Sequence, residues 1–460
     1  MYIEQLYTNC IAQAAYYIES DGEAAIIDPI RETEPYLDLA ESREAKIRFI
    51  FETHIHADFI SGHLDLAKMT GAEIVFGPDA ETNYPVREAR EGEIFRLGKI
   101  TIEALHTPGH TPESTCYLLR DESGMPNALF SGDTIFVGDV GRPALLGGRM
   151  TKEALAAMMY DSLQKLKRLP DDVIIYPAHG PGSSCGKNIG RETWSTLGLQ
   201  KQQNYALQDM PRERFIAMLV QGLAAPPRYY FEDAAINKRG YAPLAEVLAK
   251  HARPLTLDAF DRAVEKGALV LDTRSPDDFG GGFIPGAVAI SLDDNYAWWA
   301  GTLLPISTPL AIVAPPEREE EAVRRLARIG YENVAGYLAG GIRTWIDSGR
   351  PVDTIASIEP QEFSSVRERM EVLDVRNPGE YESGHVEGAR QIPLAELEAR
   401  RSELAPERAY LIHCAGGYRS MIAASLLRRH AFERMVNVHG GFSKMKAFLT
   451  EPVGSAEALT

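Results

Sequence analysis

A short segment near the start of the chain combines three residues that could hold a metal ion: His54, His56 and Asp58. They follow the largely apolar run 47–51, which predicts a buried strand that ends in this loop. Phe59 occupies the position where a further histidine would help to supply ligands to two metal ions. The spacing therefore predicts one metal ion rather than two.

Three more apolar segments lead to a possible ligand in the same way. The first leads to His110, the second to Asp133 and the third to His179. Each segment runs into small, glycine or proline residues just before the ligand, which predicts a buried strand followed by a tight turn. Because neighbouring strands can end along one edge of a sheet, we expect these ligands to converge on a single site.

These motifs resemble those of the metallo-β-lactamase superfamily over about the first half of the chain. The resemblance implies an αββα sandwich with the metal at one edge of two facing sheets. Within that superfamily, segments 53–58, 131–134 and 138–143 are most similar to those of persulfide dioxygenases. They are also similar to those of the related zinc enzymes, the glyoxalase II thioesterases.

The resemblance to persulfide dioxygenases implies one ferrous iron held by His54, His110 and Asp133. Two histidines and one carboxylate leave coordination positions open for a sulfur ligand and dioxygen together. Three more residues would then orient the ligands or serve as additional ligands: His56, Asp58 and His179. In the zinc alternative, the metal would instead lower the pKa of a bound water for hydrolysis.

Length and charge limit the class of protein. The chain has 460 residues, enough for about three domains, and 45% of them are hydrophobic, as is usual for globular proteins. The formal net charge of −17 argues against nucleic acids and anionic membranes as partners. The sequence contains no signal stretch or membrane-length apolar run, and its four cysteines are widely spaced, so we expect a cytoplasmic protein.

An internal repeat occupies the second half of the chain. Segment 271–276, with the sequence LDTRSP, returns as LDVRNP at 373–378. Each copy spans about 100 residues, which is enough for an independent α/β domain. Apolar strands alternate with helical stretches in this region, and that alternation favours a parallel sheet covered by helices.

Both copies resemble rhodanese domains, and the second copy also carries an active-site loop. Cys414 follows the apolar strand 410–412 and opens a glycine-rich loop that leads into a helix. Backbone N–H groups of such a loop stabilise a thiolate and the terminal sulfur of a cysteine persulfide. Arg419 adds a fixed positive charge for an anionic sulfur donor or acceptor. The other loop residues expected to bind the sulfur are Ala415, Gly416, Gly417 and Tyr418.

The first copy lacks the nucleophile. Aligning 310–313 with 410–413 places Ala314 where Cys414 stands in the second copy. Two prolines follow Ala314, and proline has no backbone N–H to bind an anion. The first copy is therefore predicted to be inactive. Three domains are expected, namely a metallo-β-lactamase-like domain with a helical, proline-rich extension, an inactive rhodanese domain and an active rhodanese domain: residues 1–252, 253–355 and 356–460.

The two resemblances together imply a function in the detoxification of sulfide. A persulfide dioxygenase converts a thiol persulfide and dioxygen to the thiol and sulfite, and a rhodanese passes sulfane sulfur to an acceptor such as sulfite, which gives thiosulfate. Arg142 is the candidate for binding the anionic part of the thiol substrate, and Cys185 is a candidate sulfur carrier near the metal.

Two other functions stay open at this point. One is a zinc-dependent thioesterase of the glyoxalase II type joined to a rhodanese module. The other is a sulfur-relay or scaffold protein in which only Cys414 reacts. In the favoured interpretation the partners are small molecules, namely a thiol persulfide, dioxygen, sulfite and thiosulfate, and a homo-oligomer is compatible with the sequence. The sequence does not identify the physiological thiol.

Overall fold

The computed structural model describes residues 1–144, 150–223 and 226–449. The chain forms two compact units, one made of residues 1–246 with 327–330 and one made of residues 247–326 with the chain from 331 onward. Among the described residues, every helix is too short or too polar to cross a bilayer.

The first unit is built on two six-stranded sheets. The first sheet has its strands in chain order: β1 (Tyr2–Thr8), β2 (Gln13–Ser20), β3 (Glu23–Ile27), β4 (Lys46–Phe51), β5 (Glu73–Phe76) and β6 (Arg87–Glu88). The second sheet has its strands in chain order as well: β7 (Ile94–Leu97), β8 (Ile100–His106), β9 (Thr115–Arg120), β10 (Pro126–Gly132), β11 (Ile174–Pro177) and β12 (Ser195–Thr196). Both sheets are mixed, because β3 pairs with β4 and β10 pairs with β11 in parallel.

Helices cover the outer faces of these two sheets. The helices of this part of the chain are α1 (Glu34–Ser42), α2 (His63–Thr70), α3 (Lys152–Leu166), α4 (Leu197–Gln203), α5 (Arg212–Val220), α6 (Tyr229–Arg239) and α7 (Leu244–His251). Tyr17 of β2 belongs to the core cluster that contains Tyr36 of α1, and Leu129 of β10 to the cluster that contains Met159 of α3.

Side chains that alternate along the strands explain the four layers. Tyr16 of β2 and Phe130 of β10 belong to one core cluster between the sheets, with their rings 5.0 Å apart. Their chain neighbours Tyr17 and Leu129 point the other way, toward the helices, as the two-residue period of a strand requires. The layer order of helix, sheet, sheet and helix confirms the predicted αββα sandwich.

The second unit contains two five-stranded sheets with the same topology. In spatial order, one is formed by β13 (Pro254–Leu255), β17 (Val334–Leu338), β16 (Leu310–Val313), β14 (Leu269–Asp272) and β15 (Val288–Ala289). The other is formed by β18 (Ala356–Ile358), β22 (Met435–Val438), β21 (Tyr410–His413), β19 (Glu371–Asp374) and β20 (Arg390–Gln391). Their strand pairs are parallel, which confirms the predicted α/β domains with parallel sheets.

Short helices connect these parallel strands. The first copy has α8 (Leu257–Glu265), α9 (Pro276–Gly281), α10 (Tyr296–Leu303), α11 (Glu319–Ala327) and α12 (Gly341–Asp347). The second copy has α13 (Phe363–Val366), α14 (Pro378–Glu382), α15 (Leu397–Arg400), α16 (Tyr418–Arg428) and α17 (Gly441–Met445). Parallel strands need such crossover connections, so the helices follow from the strand order.

The repeated Asp-x-Arg motif has the same structure in both copies. Arg274 donates hydrogen bonds from Nε and Nη2 to Asp272 at 2.9 and 2.6 Å. Arg376 donates the equivalent hydrogen bonds to Asp374 at 2.9 and 2.6 Å. All four side chains are buried, and each arginine is joined to its aspartate by two hydrogen bonds, as buried charges require. The motif therefore stabilises the strand end in both copies and does not distinguish an active copy from an inactive one.

Candidate functional site

Three of the predicted ligands meet at the edge of the sandwich, in loops that follow β4, β8 and β10. Asp133 Oδ2 lies 3.4 Å from Nε2 of His110 and 4.0 Å from Nε2 of His54. Asp133 Oδ2 is buried and accepts no hydrogen bond from the described residues. An unpartnered buried carboxylate oxygen is costly unless a cation satisfies it. The three side chains therefore fit one metal ion.

The turn that delivers Asp133 requires glycine. Gly132 ends β10 with φ +52°, in the left-handed region. A Cβ at this position would lie 2.6 Å from Oγ1 of Thr53, the residue before His54. Gly132 therefore allows the Asp133 loop to approach the His54 loop closely.

The two histidines of this set are oriented by hydrogen bonds to their other ring nitrogen. Nδ1 of His110 donates to the backbone carbonyl of Arg142 at 2.7 Å, and Nδ1 of His54 lies 3.0 Å from Oγ1 of Thr53. Burial lowers the pKa of both histidines below the usual value. Both rings are therefore neutral at pH 7, with Nε2 available to a metal ion.

His179 connects Asp133 to Asp58. Its Nδ1 donates to Asp133 Oδ1 at 2.7 Å and its Nε2 donates to Asp58 Oδ2 at 2.8 Å. Burial alone would lower the pKa of His179, but the two carboxylates raise it well above the usual value. His179 holds the second oxygen of Asp133 by this hydrogen bond, and the arrangement matches a neighbour that orients a ligand.

His56 lies in a different buried cluster. Its Nε2 is 3.1 Å from Asp28 Oδ1 and 3.4 Å from Glu52 Oε2, although neither contact is aligned as a hydrogen bond. The fully buried ring of Phe59 packs on His56 with 4.4 Å between ring centroids. Sequence reasoning did not select Asp28 or Glu52. Asp28 could have been found, since it directly follows the apolar strand β3.

A cavity of about 340 Å³ lies beside the three converging ligands. The predicted residues Arg142, Cys185 and Asp58 line it, together with residues that sequence reasoning did not select: Lys152, Leu223, Pro226, Tyr230 and Phe231. No sequence motif marks these extra residues, and all of them except Lys152 lie about 80 positions or more beyond Arg142. Apolar walls with two cationic side chains suit a small substrate that carries an anionic group.

The thiol of Cys185 is buried close to Asp58 and His179. Burial raises its pKa well above the usual value, and the nearby carboxylates of Asp133 and Asp58 raise it further. A neutral thiol is a weak nucleophile, since the thiolate is the reactive form. The structure thus places Cys185 at the cavity and keeps it protonated in the absence of a metal ion.

A second candidate site lies at the end of β21, where Cys414 is almost fully buried. The backbone N–H of Gly417 donates to Cys414 Sγ at 3.1 Å, and the hydroxyl of Ser420 donates to it at 3.5 Å. Ala415 and Gly416 complete the turn between Cys414 and α16. Sequence reasoning did not select Ser420, which lies one residue beyond the motif.

The remaining two residues of this loop are held by the surrounding domain. The hydroxyl of Tyr418 donates to the carbonyl of Ser291 in the first copy at 3.1 Å. Arg419 forms two hydrogen bonds to Glu380, at 2.6 and 2.7 Å. The positive charge expected to face an anionic substrate is therefore already paired with a carboxylate.

The strand registers of the two copies support the alignment of Ala314 with Cys414. Leu271 pairs with Ile312 in the first copy, and Leu373 pairs with Ile412 in the second. Ala314 is buried at the end of β16, as Cys414 is at the end of β21. The first copy thus has the fold of the second without its nucleophile.

Comparisons with known proteins match different parts of the chain to two families. Residues 8–179 match the model of the metallo-beta-lactamase superfamily, and residues 256–348 and 359–448 each match the rhodanese-like domain. A probable hydroxyacylglutathione hydrolase of Schizosaccharomyces pombe is 34% identical over 165 residues, which are 35% of this chain and 60% of that protein. A hydroxyacylglutathione hydrolase of Rhizobium johnstonii is 37% identical over 160 residues, or 34% of this chain and 57% of that protein.

This chain therefore spans less than two thirds of the length of these curated relatives. A solved structure is similar over a longer region. The metallo-beta-lactamase of Staphylococcus aureus subsp. aureus COL is 35% identical with a TM-score of 0.66, covering 73% of this chain and 98% of that one. With its αββα sandwich and converging metal ligands, the chain belongs to the metallo-beta-lactamase superfamily, and two rhodanese-like domains follow its metallo-beta-lactamase domain.

Proposed function

We propose that this protein oxidises a low-molecular-weight thiol persulfide with dioxygen at a single iron ion and transfers sulfane sulfur through Cys414. The observation that carries the proposal is the convergence of His54, His110 and Asp133, with His56 turned toward other carboxylates and Phe59 packed against it. Ferrous iron bound to the three ligands would supply open coordination positions where dioxygen and the persulfide meet. The four electrons that reduce dioxygen would come from the outer sulfur, and with one water the expected products are the thiol and sulfite.

The residues around the metal ligands would bind and orient the persulfide. Arg142 and Lys152 line the cavity and would attract the anionic part of a thiol substrate. Tyr230 and Phe231 provide aromatic surface on the same cavity and would exclude water from the reacting sulfur. His179 would keep Asp133 in position through its short hydrogen bond.

The second site would move one sulfur atom at a time. The Cys414 thiolate attacks the outer sulfur of a donor, the donor's sulfur–sulfur bond breaks, and Cys414 becomes a persulfide. Sulfite then attacks the outer sulfur of this persulfide, which forms thiosulfate and returns the electron pair to the Cys414 thiolate. The N–H of Gly417, which donates to Sγ, would stabilise the anionic sulfur in both steps.

The activity named for the curated relatives supports a second candidate function. Both are hydroxyacylglutathione hydrolases, so the first domain of this chain could hydrolyse a glutathione thioester with zinc. Two features argue against this candidate. Phe59 occupies a position where a pair of metal ions would need a histidine, and His56 faces a carboxylate outside the ligand set.

Metal content and oxygen uptake would test the proposal. Protein purified without oxygen should contain close to one iron per chain and should consume oxygen when glutathione persulfide is added. His54→Ala or Asp133→Ala should reduce oxygen uptake by more than the ~10–100-fold that loss of an outer partner of a metal ligand costs. His106→Ala is the matched control, because His106 ends β8 but lies outside the ligand set.

The same preparation distinguishes the two candidates. Two tightly bound zinc ions, rapid hydrolysis of a glutathione thioester and no oxygen uptake with persulfide would contradict the dioxygenase and support the hydrolase.

A further inference from the structure

The arginine of the sulfur-transfer loop is held by a carboxylate outside that loop. Nη1 and Nη2 of Arg419 donate to the two carboxylate oxygens of Glu380 at 2.6 and 2.7 Å. This two-point geometry is the strongest form of an arginine–carboxylate pair. Arg419 is 16% exposed and Glu380 is 35% exposed, so the pair lies at the rim of the site where a small anion would enter.

Glu380 is also fixed from the other side. It is the third residue of α14, and one carboxylate oxygen accepts a hydrogen bond from the backbone N–H of Asn377 at 3.1 Å. This contact forms a reciprocal cap at the start of the helix. The carboxylate is therefore positioned before any substrate binds.

Charge couples Glu380 to the nucleophile through Arg419. Hydrogen bonding to Arg419 holds the pKa of Glu380 below its usual value, so Glu380 is an anion at pH 7. Burial alone would lower the pKa of Arg419, but Glu380 and the sulfur of Cys414 raise it. Arg419 thus lies between a permanent carboxylate and the reactive sulfur, and the pair carries no net charge.

The inactive copy retains the cap but not the pair. Asp278 is the third residue of α9; its backbone N–H donates to Ser275 Oγ at 3.1 Å, and its carboxylate accepts a hydrogen bond from the same hydroxyl at 2.6 Å. In the alignment that matches Ala314 with Cys414, Glu319 stands where Arg419 stands. An acidic residue at the third helical position thus has a structural role in both copies, and only Glu380 faces a catalytic loop.

We propose that Glu380 determines the charge preference of the Cys414 site by competing with anionic sulfur donors and acceptors for Arg419. The inference rests on the proposed sulfur transfer at Cys414. A dianion such as thiosulfate or sulfite must approach Arg419 against the charge of Glu380 or replace it. Cyanide reacts as a monoanion and is repelled less by the same carboxylate. Glu380 therefore weakens the use of dianions more than it weakens the use of cyanide.

Steady-state transfer of sulfur from thiosulfate to cyanide measures both classes of substrate. In a double-displacement reaction, kcat/KM for each substrate reports its own half of the cycle. Glu380→Gln removes the charge but keeps an oxygen that can cap Asn377. It should raise kcat/KM for thiosulfate about three- to tenfold, the range expected for one charge near a partly exposed site. The value for cyanide, which reacts as a monoanion, should rise by a clearly smaller factor.

Three further variants separate this effect from a structural one. Asp278→Asn, the matched cap in the inactive copy, should leave both values unchanged. Glu380→Asp retains the charge and should retain the parent's preference even if the cap is weakened. In an Arg419→Gln background, Glu380→Gln should no longer favour thiosulfate, since the two residues act through one another.

The possible outcomes test different statements. An unchanged or lower kcat/KM for thiosulfate in Glu380→Gln, with an active parent, would overturn the role of Glu380 alone. Equal increases for thiosulfate and cyanide would also overturn it, because charge would not be the cause. A parent protein that transfers no sulfur from thiosulfate would overturn the proposed function of Cys414 and this inference with it.

Discussion

Single residues of the same type differ in charge in this protein according to the groups that face them. Burial lowers the pKa of His54 and His110, which makes them neutral and able to bind a metal ion. His179 is equally buried, but Asp133 and Asp58 on either side keep it protonated. Its role is therefore to hold a carboxylate, and the difference arises from partners that are distant in sequence.

His413 is a residue whose protonation should affect the acid stability of the second unit. Burial lowers its pKa to about 4, whereas a histidine in an unfolded chain has a pKa near 6.5. Between these values the unfolded chain binds the additional proton, so stability is lost as the pH falls from 6.5 toward 4. The shift corresponds to a loss of up to about 3 kcal/mol.

Denaturant unfolding at a series of pH values would check this. His413→Phe removes the titrating group and should give a shallower decline in the free energy of unfolding across that window. His385→Phe is a suitable control, since His385 is only partly buried and also stacks on a neighbouring ring. Parallel profiles for the parent and His413→Phe would show that another group titrates.

Strands and their connecting loops bring the functional residues together at the scale of elements. β4, β8 and β10 end at the same edge of the sandwich, and their following loops supply the three candidate metal ligands. In the second unit, β21 delivers Cys414 to the start of α16, as β16 delivers Ala314 in the inactive copy. The first copy also contacts the Cys414 loop of the second, through the carbonyl of Ser291.

Tyr418 makes that contact, and its loss should affect sulfur transfer. Tyr418→Phe removes the hydrogen bond to the carbonyl of Ser291. A net loss of about 1 kcal/mol in the stability of the second unit is expected from one such bond. Because Tyr418 lies between Gly417 and Arg419, we also expect a higher KM for thiosulfate.

A second tyrosine provides the control for this prediction. Tyr381 donates an equivalent hydrogen bond to the carbonyl of Ala389 at 3.0 Å, within the second copy. Tyr381→Phe should lose similar stability in chemical denaturation while its KM for thiosulfate stays at the parent's value. Similar KM values for both variants would show that the contact with Ser291 only stabilises the fold.

The whole molecule consists of two compact units, and each contains one candidate site. Each set of reacting residues is completed within its own unit, since the candidate ligands come from loops of the sandwich and the groups around Cys414 come from the two rhodanese copies. Under the proposed function, fusion in one chain would keep a dioxygenase site that releases sulfite together with a sulfur-transfer site that uses it. The two activities should therefore be separable by mutation.

Reciprocal substitutions would test this separation. Cys414→Ser should abolish formation of thiocyanate from thiosulfate and cyanide while oxygen uptake with persulfide continues at close to the parent's rate. Asp133→Ala should have the opposite effect, and each variant is the control for the other. A folded Cys414→Ser protein that consumes no oxygen would show that the two sites work as one.

The sequence by itself determined the fold class and predicted most of the residues that meet at the two candidate sites. Local signals were sufficient there, because apolar runs predict buried strands and short motifs place His54, Asp133 and Cys414 at strand ends. The repeat of LDTRSP as LDVRNP likewise predicted two related domains, and the loss of the nucleophile at Ala314 was visible by alignment alone.

Only the tertiary structure decided which of these residues act together. The rings of His54 and His56 are only 4.2 Å apart, yet Nε2 of His56 faces Asp28 and Glu52 while Nε2 of His54 faces Asp133. The pairing of Glu380 with Arg419 joins residues that are 39 positions apart, and no local pattern marks it. Charge and orientation depend on groups that folding brings into contact, so they follow from packing and are absent from the spacing of residues along the chain.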